Sequence, residues 1–192
     1  MEKYIVLISS YVLGSIPFSS IITKIKGINL REVGSGNIGA TNIARTGNKE
    51  LAALALFLDS LKGFIAVYAA QQFFNNGIII YTSAILAVLG HMFPIWLKFN
   101  GGKGVATTLG ILIALNNRVA LLFVLIWLVA FSTLRYSSLA SLTSITVAVI
   151  ATFFFQRELF FVLLIVAILI FLKHHKNIAN LLQSKEYKFF KQ

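Results

Sequence analysis

The chain has 192 residues, of which 58% are hydrophobic and 12% are charged, and its formal net charge is +11. A soluble domain of this length carries roughly a quarter of its residues as charged side chains, so the composition excludes a soluble globular protein. The chain has no cysteine, which excludes disulfides, thiolate chemistry and Cys metal sites.

Long apolar segments alternate with short polar stretches along the chain, as expected when the bilayer is the solvent. The first segment contains Gly14 and Pro17 and lacks a cleavage site of small residues, so we predict a retained helix rather than a signal peptide. The fourth is shorter than the ~20 residues of a straight span and is expected to tilt or to re-enter the membrane. The seven predicted spans are 4–23, 51–74, 78–97, 104–115, 119–134, 139–155 and 159–172.

Lysine and arginine are distributed unevenly between the two sides of this arrangement. One set of alternate loops, together with the C-terminal tail, carries 13 of them, and the other set carries 3. The positive-inside rule therefore predicts an N-terminus outside and a C-terminus in the cytoplasm. We interpret the net charge as topogenic charge in contact with membrane lipids, and expect no nucleic acid partner. The expected fold is an all-α polytopic membrane protein of about seven transmembrane helices, a single domain of residues 1–192 with Gly-rich cytoplasmic loops.

The longest polar stretch, residues 31–48, lies in the first predicted cytoplasmic loop. Residues 34–39 match G-x-G-x-x-G, but a predicted transmembrane helix precedes them and no room remains for a βαβ unit, so a dinucleotide fold is excluded. Glycines nevertheless let backbone N–H groups approach an anion closely. The alternative is an ordinary flexible loop with a helix cap. Neutral donors in this loop are Ser35, Asn37, Thr41 and Asn42.

A second polar cluster, residues 91–107, follows the third predicted span. Gly101-Gly102-Lys103-Gly104 stands just before a short helix and predicts a phosphate-binding turn, with Lys103 and Arg45 as sources of positive charge. It is not a Walker A loop, because Leu97 stands where that motif requires glycine. We interpret His91 as a structural hydrogen-bonding residue at the membrane interface.

Two further polar clusters lie at predicted cytoplasmic helix ends. The hydroxyl groups of residues 135–141 either cap the following helix or bind a ligand. Residues 173–177 form either a basic stop at the membrane surface or part of a site. His174 and Asn177 share a helix face at i, i+3, and His175 points away.

Asp59 and Lys62, also at i, i+3, predict an intramembrane ion pair whose role, structural or functional, stays open. The three histidines and six acidic residues offer no convincing three-ligand metal site and no Ser-His-Asp set, so no metal is expected. What remains is an abundance of anion-binding donors at one membrane face. That pattern favours a phosphate-bearing substrate.

Three segments resemble the signature motifs of the bacterial acyl-phosphate:glycerol-3-phosphate acyltransferases and stand in the family's order. They are SGNIGATNIART (35–46), GHMFPIWLKFNGGKGVAT (90–107) and RYSSLAS (135–141). LDSLKG (58–63) and the later HHKNIANLL also fit the family's pattern, so the resemblance covers nearly the whole chain.

The resemblance implies transfer of a fatty acyl group from acyl phosphate to the 1-hydroxyl of sn-glycerol 3-phosphate, giving lysophosphatidic acid and phosphate in the first step of phospholipid synthesis. It implies a catalytic domain in the bacterial inner membrane with its active site facing the cytoplasm. No cofactor and no obligate protein partner are expected, and acyl-CoA and acyl carrier protein are not direct donors.

The resemblance also implies roles for individual residues. The glycerol 3-phosphate pocket would use Arg45, Lys103, Ser141, His174 and Asn177, and residues 35–41 would cradle the acyl phosphate. The catalytic candidates are Ser35, Arg45, Lys103 and His174. The substrate-binding candidates are Gly36, Asn37, Gly39, Ala40, Thr41, Asn42, Gly101, Gly102, Gly104, Ser138, Ser141 and Asn177.

The absence of a nucleophile with an adjacent base argues for direct attack of the acceptor hydroxyl without an acyl-enzyme. Its proton goes either to His174 or to a donor phosphate oxygen, and the positive charge of Lys173 and Lys176 beside His174 favours the phosphate. The competing class is a transporter or channel for a phosphorylated anion, but it needs polar access from both faces. A lipid-binding scaffold would not need three anion-binding turns.

Overall fold

The computed structural model describes residues 1–189, and every regular element in that range is helical. The elements are α1 (Glu2–Ser15), α2 (Phe18–Ile25), α3 (Ala40–Arg45), α4 (Lys49–Phe73), α5 (Gly77–Met92), a 3-10 turn (Ile95–Leu97), α6 (Val105–Leu115), α7 (Asn117–Leu134), α8 (Ser137–Phe155), α9 (Arg157–Lys173) and α10 (His175–Leu182). The predicted all-α fold class is confirmed.

Five helical segments of the described chain are long and apolar enough to cross a membrane. They are Glu2–Ile25, Lys49–Phe73, Gly77–Leu97, Asn117–Leu134 and Ser137–Phe155. A sixth arises only if α9 and α10, bent by 62° at His174, form one span. The 11 residues of α6 extend about 17 Å, well short of a bilayer core. Each predicted segment contains a helix, but the count of seven complete spans is not confirmed.

The described chain divides into two compact units, residues 1–115 and the residues from 116 onward. The prediction of a single domain stays a prediction. In the first unit, α1 packs against α5 and α4 packs against α6. Glycines permit both contacts, because a Cβ at Gly14 would collide with the backbone of Ala87 and one at Gly110 with the carbonyl of Ser60.

Pro17 separates α1 from α2, since proline lacks the N–H that would continue the helix. The chain then enters a long loop that packs back against the start of α4. The buried apolar cluster of this contact consists of Leu30, Ile38, Ile43, Ala52 and Ala55. The loop is therefore anchored by apolar burial at both of its halves.

The second unit is built from α7, α8 and α9, which pack in chain order. Asn116 caps α7 by accepting from the backbone N–H groups of Arg118 and Val119, and its Nδ2 donates to Gln156 at 2.8 Å. The chain after α10 returns to the turn between α7 and α8, where the N–H of Phe189 donates to the Arg135 carbonyl at 2.9 Å.

Candidate functional site

Asn42 organises the first loop, which we define as residues 26–48. It lies in the first turn of α3 and is buried. Its Oδ1 accepts hydrogen bonds from the backbone N–H and the hydroxyl of Ser35, at 2.9 and 3.2 Å. Its Nδ2 donates to the carbonyl oxygens of Leu30 and Val33, at 3.1 and 3.0 Å. The loop therefore uses the whole amide, and the substrate-binding role of Asn42 stays a prediction.

Two glycines of the predicted anion-binding segment have left-handed backbone conformations, with φ of 56° at Gly34 and 68° at Gly36. A Cβ at Gly34 would collide with Oδ1 of Asn42 and would lie 3.6 Å from Cδ of Arg45. The Arg45 side chain therefore runs back toward the turn that carries Ser35. The structure brings Ser35, Asn42 and Arg45 together. The other predicted residues here are half-buried: Asn37, Gly39, Ala40 and Thr41.

Arg31 joins the first loop to the second loop, which we define as residues 93–104. Its guanidinium donates to the carbonyl oxygen of Gly36 at 3.4 Å and to that of Asn100. Partial burial lowers the pKa of the Arg31 guanidinium, but its ordinary pKa is high enough to keep it charged. The sequence places Arg31 only among the topogenic charges, because a contact between residues 69 positions apart leaves no local signal.

The second loop folds back onto the end of α5. The N–H of Gly101 donates to the Met92 carbonyl and that of Gly102 to the His91 carbonyl, both at 3.1 Å. A Cβ at Gly101 would collide with the α5 backbone, and one at Gly102 would collide with the His91 ring. Close approach to α5 therefore requires glycine at both positions.

Lys103 is half-buried between this contact and the start of α6. Gly104 has a φ of 82°, and its carbonyl accepts from the N–H of Thr108 at 2.8 Å, which begins the helix. The structure thus contains the predicted glycine turn with a lysine directly before a helix, and phosphate binding by this turn stays a prediction.

A buried polar cluster in the first unit centres on Asp59, which forms the predicted ion pair with Lys62 at 2.8 Å. The Ser19 hydroxyl donates to the other carboxylate oxygen at 2.8 Å, and Lys62 also donates to the Ile16 carbonyl at 2.8 Å. Nδ1 of His91 lies 3.6 Å from Oδ1 of Asp59. The predicted ion pair is confirmed, and both of its members have further partners in the first unit.

Glu186, in the tail after α10, connects two predicted substrate-binding residues of the second unit. Its Oε1 accepts from the Ser138 hydroxyl at 2.7 Å and from Nδ2 of Asn177 at 2.6 Å. Sequence reasoning missed Glu186. The available signal was that it is the one acidic residue after α9.

His174 stands at the bend between α9 and α10 and is 2% exposed. Its Nδ1 lies 2.8 Å from the Ile170 carbonyl oxygen, and a carbonyl only accepts, so Nδ1 carries the hydrogen. In the neutral ring Nε2 is then the acceptor. His175 is exposed and bonds to the Leu172 carbonyl, as expected for a side chain on another face.

Ser141 is buried on α8, donates to the Ser137 carbonyl at 2.8 Å and accepts from Nε1 of Trp127 at 3.1 Å. Tyr136 precedes α8 and makes no capping bond with its side chain. Ser138 and Ser141 donate elsewhere, to Glu186 and to the Ser137 carbonyl, and their substrate-binding role stays a prediction.

The predicted residues fall into two groups, one in each unit. Residues 1–115 hold the two glycine-containing loops with Arg45 and Lys103, joined by Arg31. The second unit holds Ser138, Ser141, His174 and Asn177. Among residues 1–189, no three His, Asp or Glu side chains are grouped so that they could hold a metal ion. The charged and polar groups present suit an anionic ligand.

Comparison with known proteins agrees with this chemistry. The family model described as glycerol-3-phosphate acyltransferase matches residues 4–184. A glycerol-3-phosphate acyltransferase of Wolbachia pipientis subsp. Culex pipiens is 77% identical over 98% of this chain and all of its own length. One of Mesorhizobium japonicum is 49% identical over 95% of this chain and 93% of its own.

Two solved structures are also similar, both of PlsY, an integral membrane glycerol 3-phosphate acyltransferase. Its glycerol 3-phosphate form has a TM-score of 0.94 at 40% identity and covers 99% of this chain and 96% of its own. The lysophosphatidic acid form has a TM-score of 0.91 at 38% identity, with 98% and 95% covered. The helical architecture described above is thus that of an integral membrane protein.

Proposed function

The chain belongs to the glycerol-3-phosphate acyltransferase family, and we propose that it transfers a fatty acyl group from acyl phosphate to the 1-hydroxyl of sn-glycerol 3-phosphate. The products are lysophosphatidic acid and phosphate. The observation that carries the proposal is the similarity, at a TM-score of 0.94, to a relative whose crystal structure is the glycerol 3-phosphate form. The acyl-phosphate donor is supported by the three motifs in residues 35–46, 90–107 and 135–141.

Arg45 and Lys103 bind the phosphate of the acceptor in this proposal. Each is half-buried beside a glycine turn, where water screens its charge less than at the surface. Ser141, His174 and Asn177 complete the acceptor set, as the family resemblance implies. Residues 35–41 hold the acyl phosphate through backbone N–H groups and the Ser35 hydroxyl.

The reaction is a direct acyl transfer. The acceptor 1-hydroxyl oxygen attacks the acyl carbonyl carbon, an ester C–O bond forms, and the bond from that carbon to the phosphate oxygen breaks. Phosphate leaves with the electron pair, and one of its oxygens takes the hydroxyl proton. Acyl phosphate is a mixed anhydride with a good leaving group, so positioning and charge neutralisation supply most of the rate acceleration.

The proposed location is the bacterial inner membrane, with the N-terminus outside, the C-terminus in the cytoplasm and the site facing the cytoplasm. The distribution of 13 basic residues against 3 supports this orientation.

The test uses purified full-length protein with acyl phosphate and glycerol 3-phosphate and measures lysophosphatidic acid. We expect product without CoA or carrier protein, and none when acyl-CoA replaces acyl phosphate. Product with acyl-CoA alone would show that the proposed donor is wrong. No product with either donor would contradict the proposed function itself.

A further inference from the structure

The buried cluster around Asp59 lies outside the groups to which the proposed reaction assigns a role. Asp59 is 3% exposed and Lys62 is 2% exposed, so both charges are removed from water inside the first unit. Burying a charged group in a membrane helix costs free energy unless the group is paired. Charged residues in such helices are therefore rare and commonly functional. Ser19 donates to the second carboxylate oxygen of Asp59, and Lys62 donates to the Ile16 carbonyl oxygen. Each charged group therefore has a further partner besides the ion pair.

His91 connects this network to the second loop. On one side its Nδ1 faces the Asp59 carboxylate at 3.6 Å. On the other side the ring lies so close to Gly102 that a Cβ there would collide with Nε2. The His91 carbonyl also accepts the N–H of Gly102. The side chain and the backbone of His91 thus both hold Gly102, which directly precedes Lys103.

The first loop reaches the same cluster. A narrow cleft is lined by Asp59, Lys62 and His91 together with Ile38 of the first loop and Pro94 of the second. Ile38 is buried and belongs to the apolar contact between the first loop and α4. The network thus adjoins both anion-binding loops of the first unit.

We propose that Ser19, Asp59, Lys62 and His91 form a positioning network that holds the Gly101–Gly104 turn, and through it Lys103, in the geometry that binds the acceptor phosphate. The proposal rests on the proposed function for the identity of the ligand. Asp59 orients the His91 ring, Lys62 and Ser19 orient Asp59, and the ring supports Gly102. None of the four contacts the reacting atoms in this account.

Hydrogen exchange tests the positioning without any assay of activity. His91→Phe keeps a ring of similar size but removes both nitrogens, and Ser83→Ala is the control, a buried hydroxyl about two turns earlier on α5. We expect the amides of Gly101 and Gly102 to exchange at least about tenfold faster in His91→Phe and unchanged in Ser83→Ala. Unchanged exchange in His91→Phe overturns the proposal.

Two double variants separate positioning from the cost of an unpaired charge. Lys62→Met with Asp59→Asn keeps an amide between Ser19 and His91, whose oxygen can face Nδ1 of His91 while its NH2 donates to the Ser19 hydroxyl. Lys62→Met with Asp59→Ala removes this group, and both double variants lack the buried charges. We expect the Asn variant to keep wild-type exchange in the turn and the Ala variant to resemble His91→Phe. Equal exchange in the two double variants contradicts the role given to Asp59.

Kinetics then show whether the network acts on the acceptor. In His91→Phe, the KM for glycerol 3-phosphate should rise by roughly tenfold or more, with a smaller change in kcat and no change in the KM for acyl phosphate. A lower kcat with both KM values unchanged would overturn the proposal, because that pattern reports only a smaller fraction of folded protein. An inactive wild-type protein would instead contradict the proposed function, whereas the exchange result would still decide the positioning.

Discussion

Asn42 shows how one buried amide ties the backbone of the first loop together, in addition to the apolar contact of that loop with α4. Its four hydrogen bonds join α3 to the backbone at Leu30, Val33 and Ser35. Asn42→Ala leaves those backbone groups short of partners and should lower the free energy of unfolding by about 2–4 kcal/mol. The control is Asn48→Ala, an exposed amide in the same loop that donates to the nearby Thr46, and its loss should cost no more than about 1 kcal/mol. Denaturation in detergent measures both, and equal stability of the two variants would contradict the role of Asn42.

Arg45 and Lys103 should be needed for acceptor binding and not for folding. Truncating a half-buried cation that contacts phosphate costs roughly 2–5 kcal/mol, so Arg45→Ala or Lys103→Ala should raise the KM for glycerol 3-phosphate at least about thirtyfold or abolish activity. Lys98→Ala is the control, since Lys98 is an exposed cation of the same loop as Lys103. Wild-type steady-state kinetics in both Arg45→Ala and Lys103→Ala would show that this assignment is wrong.

His174 distinguishes the two destinations of the acceptor proton. If a donor phosphate oxygen takes it, His174→Gln retains measurable turnover with a raised KM for glycerol 3-phosphate, because only a ligand is lost. The pH-rate profiles of His174→Gln and the wild type should then have the same shape near about pH 6 to 7. Normal acceptor binding with lost turnover would make His174 the base, and a trapped acyl-serine or acyl-histidine would exclude direct transfer.

The tail after α10 is the element that the sequence explains least and that the structure ties to two predicted site residues. Glu186→Ala removes the oxygen that Ser138 and Asn177 share, and Glu186→Gln retains one. Glu186→Ala should therefore raise the KM for glycerol 3-phosphate by roughly tenfold through loss of orientation of both side chains, and Glu186→Gln should stay near the wild type. Indistinguishable kinetics for Ala and wild type would show that the contact has no effect on the site.

Helix positions were predictable from the sequence because the apolar segments, all but one of them long, are bounded by glycine or by polar and charged residues. The short length of α6 was also visible, since it follows from counting residues. The 62° bend at His174 was not predictable, because neither proline nor glycine interrupts the chain between α9 and α10. Because the sequence does not reveal that bend, the number of complete crossings could not be derived from hydropathy alone.

The candidate site was predictable in its local part only. The glycine turns and the Asp59–Lys62 pair follow from spacing along the chain, and the structure contains both. The partners Arg31, His91 and Glu186 act through contacts between residues far apart in sequence or through an irregular tail. Such contacts depend on tertiary packing, which no local pattern encodes.

The orientation of the whole molecule is a prediction from charge alone. Because the chain has no cysteine, single cysteines can be placed at Asn76 and Gln183 in an otherwise unchanged protein. In intact cells, an impermeant thiol reagent should label Asn76→Cys and should label Gln183→Cys only after the membrane is opened. Labelling of both from the same side would mean that the predicted count of crossings is wrong.

The register between α4 and α6 sets the level along α4 at which α6 and the Lys103 turn before it begin. Gly63 packs against Thr107 in the first turn of α6, and Gly63 is 14 positions beyond Lys49, about 21 Å along α4. The first turn of α6 thus lies beside the middle of α4 rather than level with its beginning, and the Lys103 turn directly precedes it. Under the proposed reaction, a donor can keep its hydrocarbon tail among the lipids while its carbonyl reaches the turn. Under the same reaction, lysophosphatidic acid does not have to pass through water, because its tail already lies in the leaflet and it can leave laterally into the lipid.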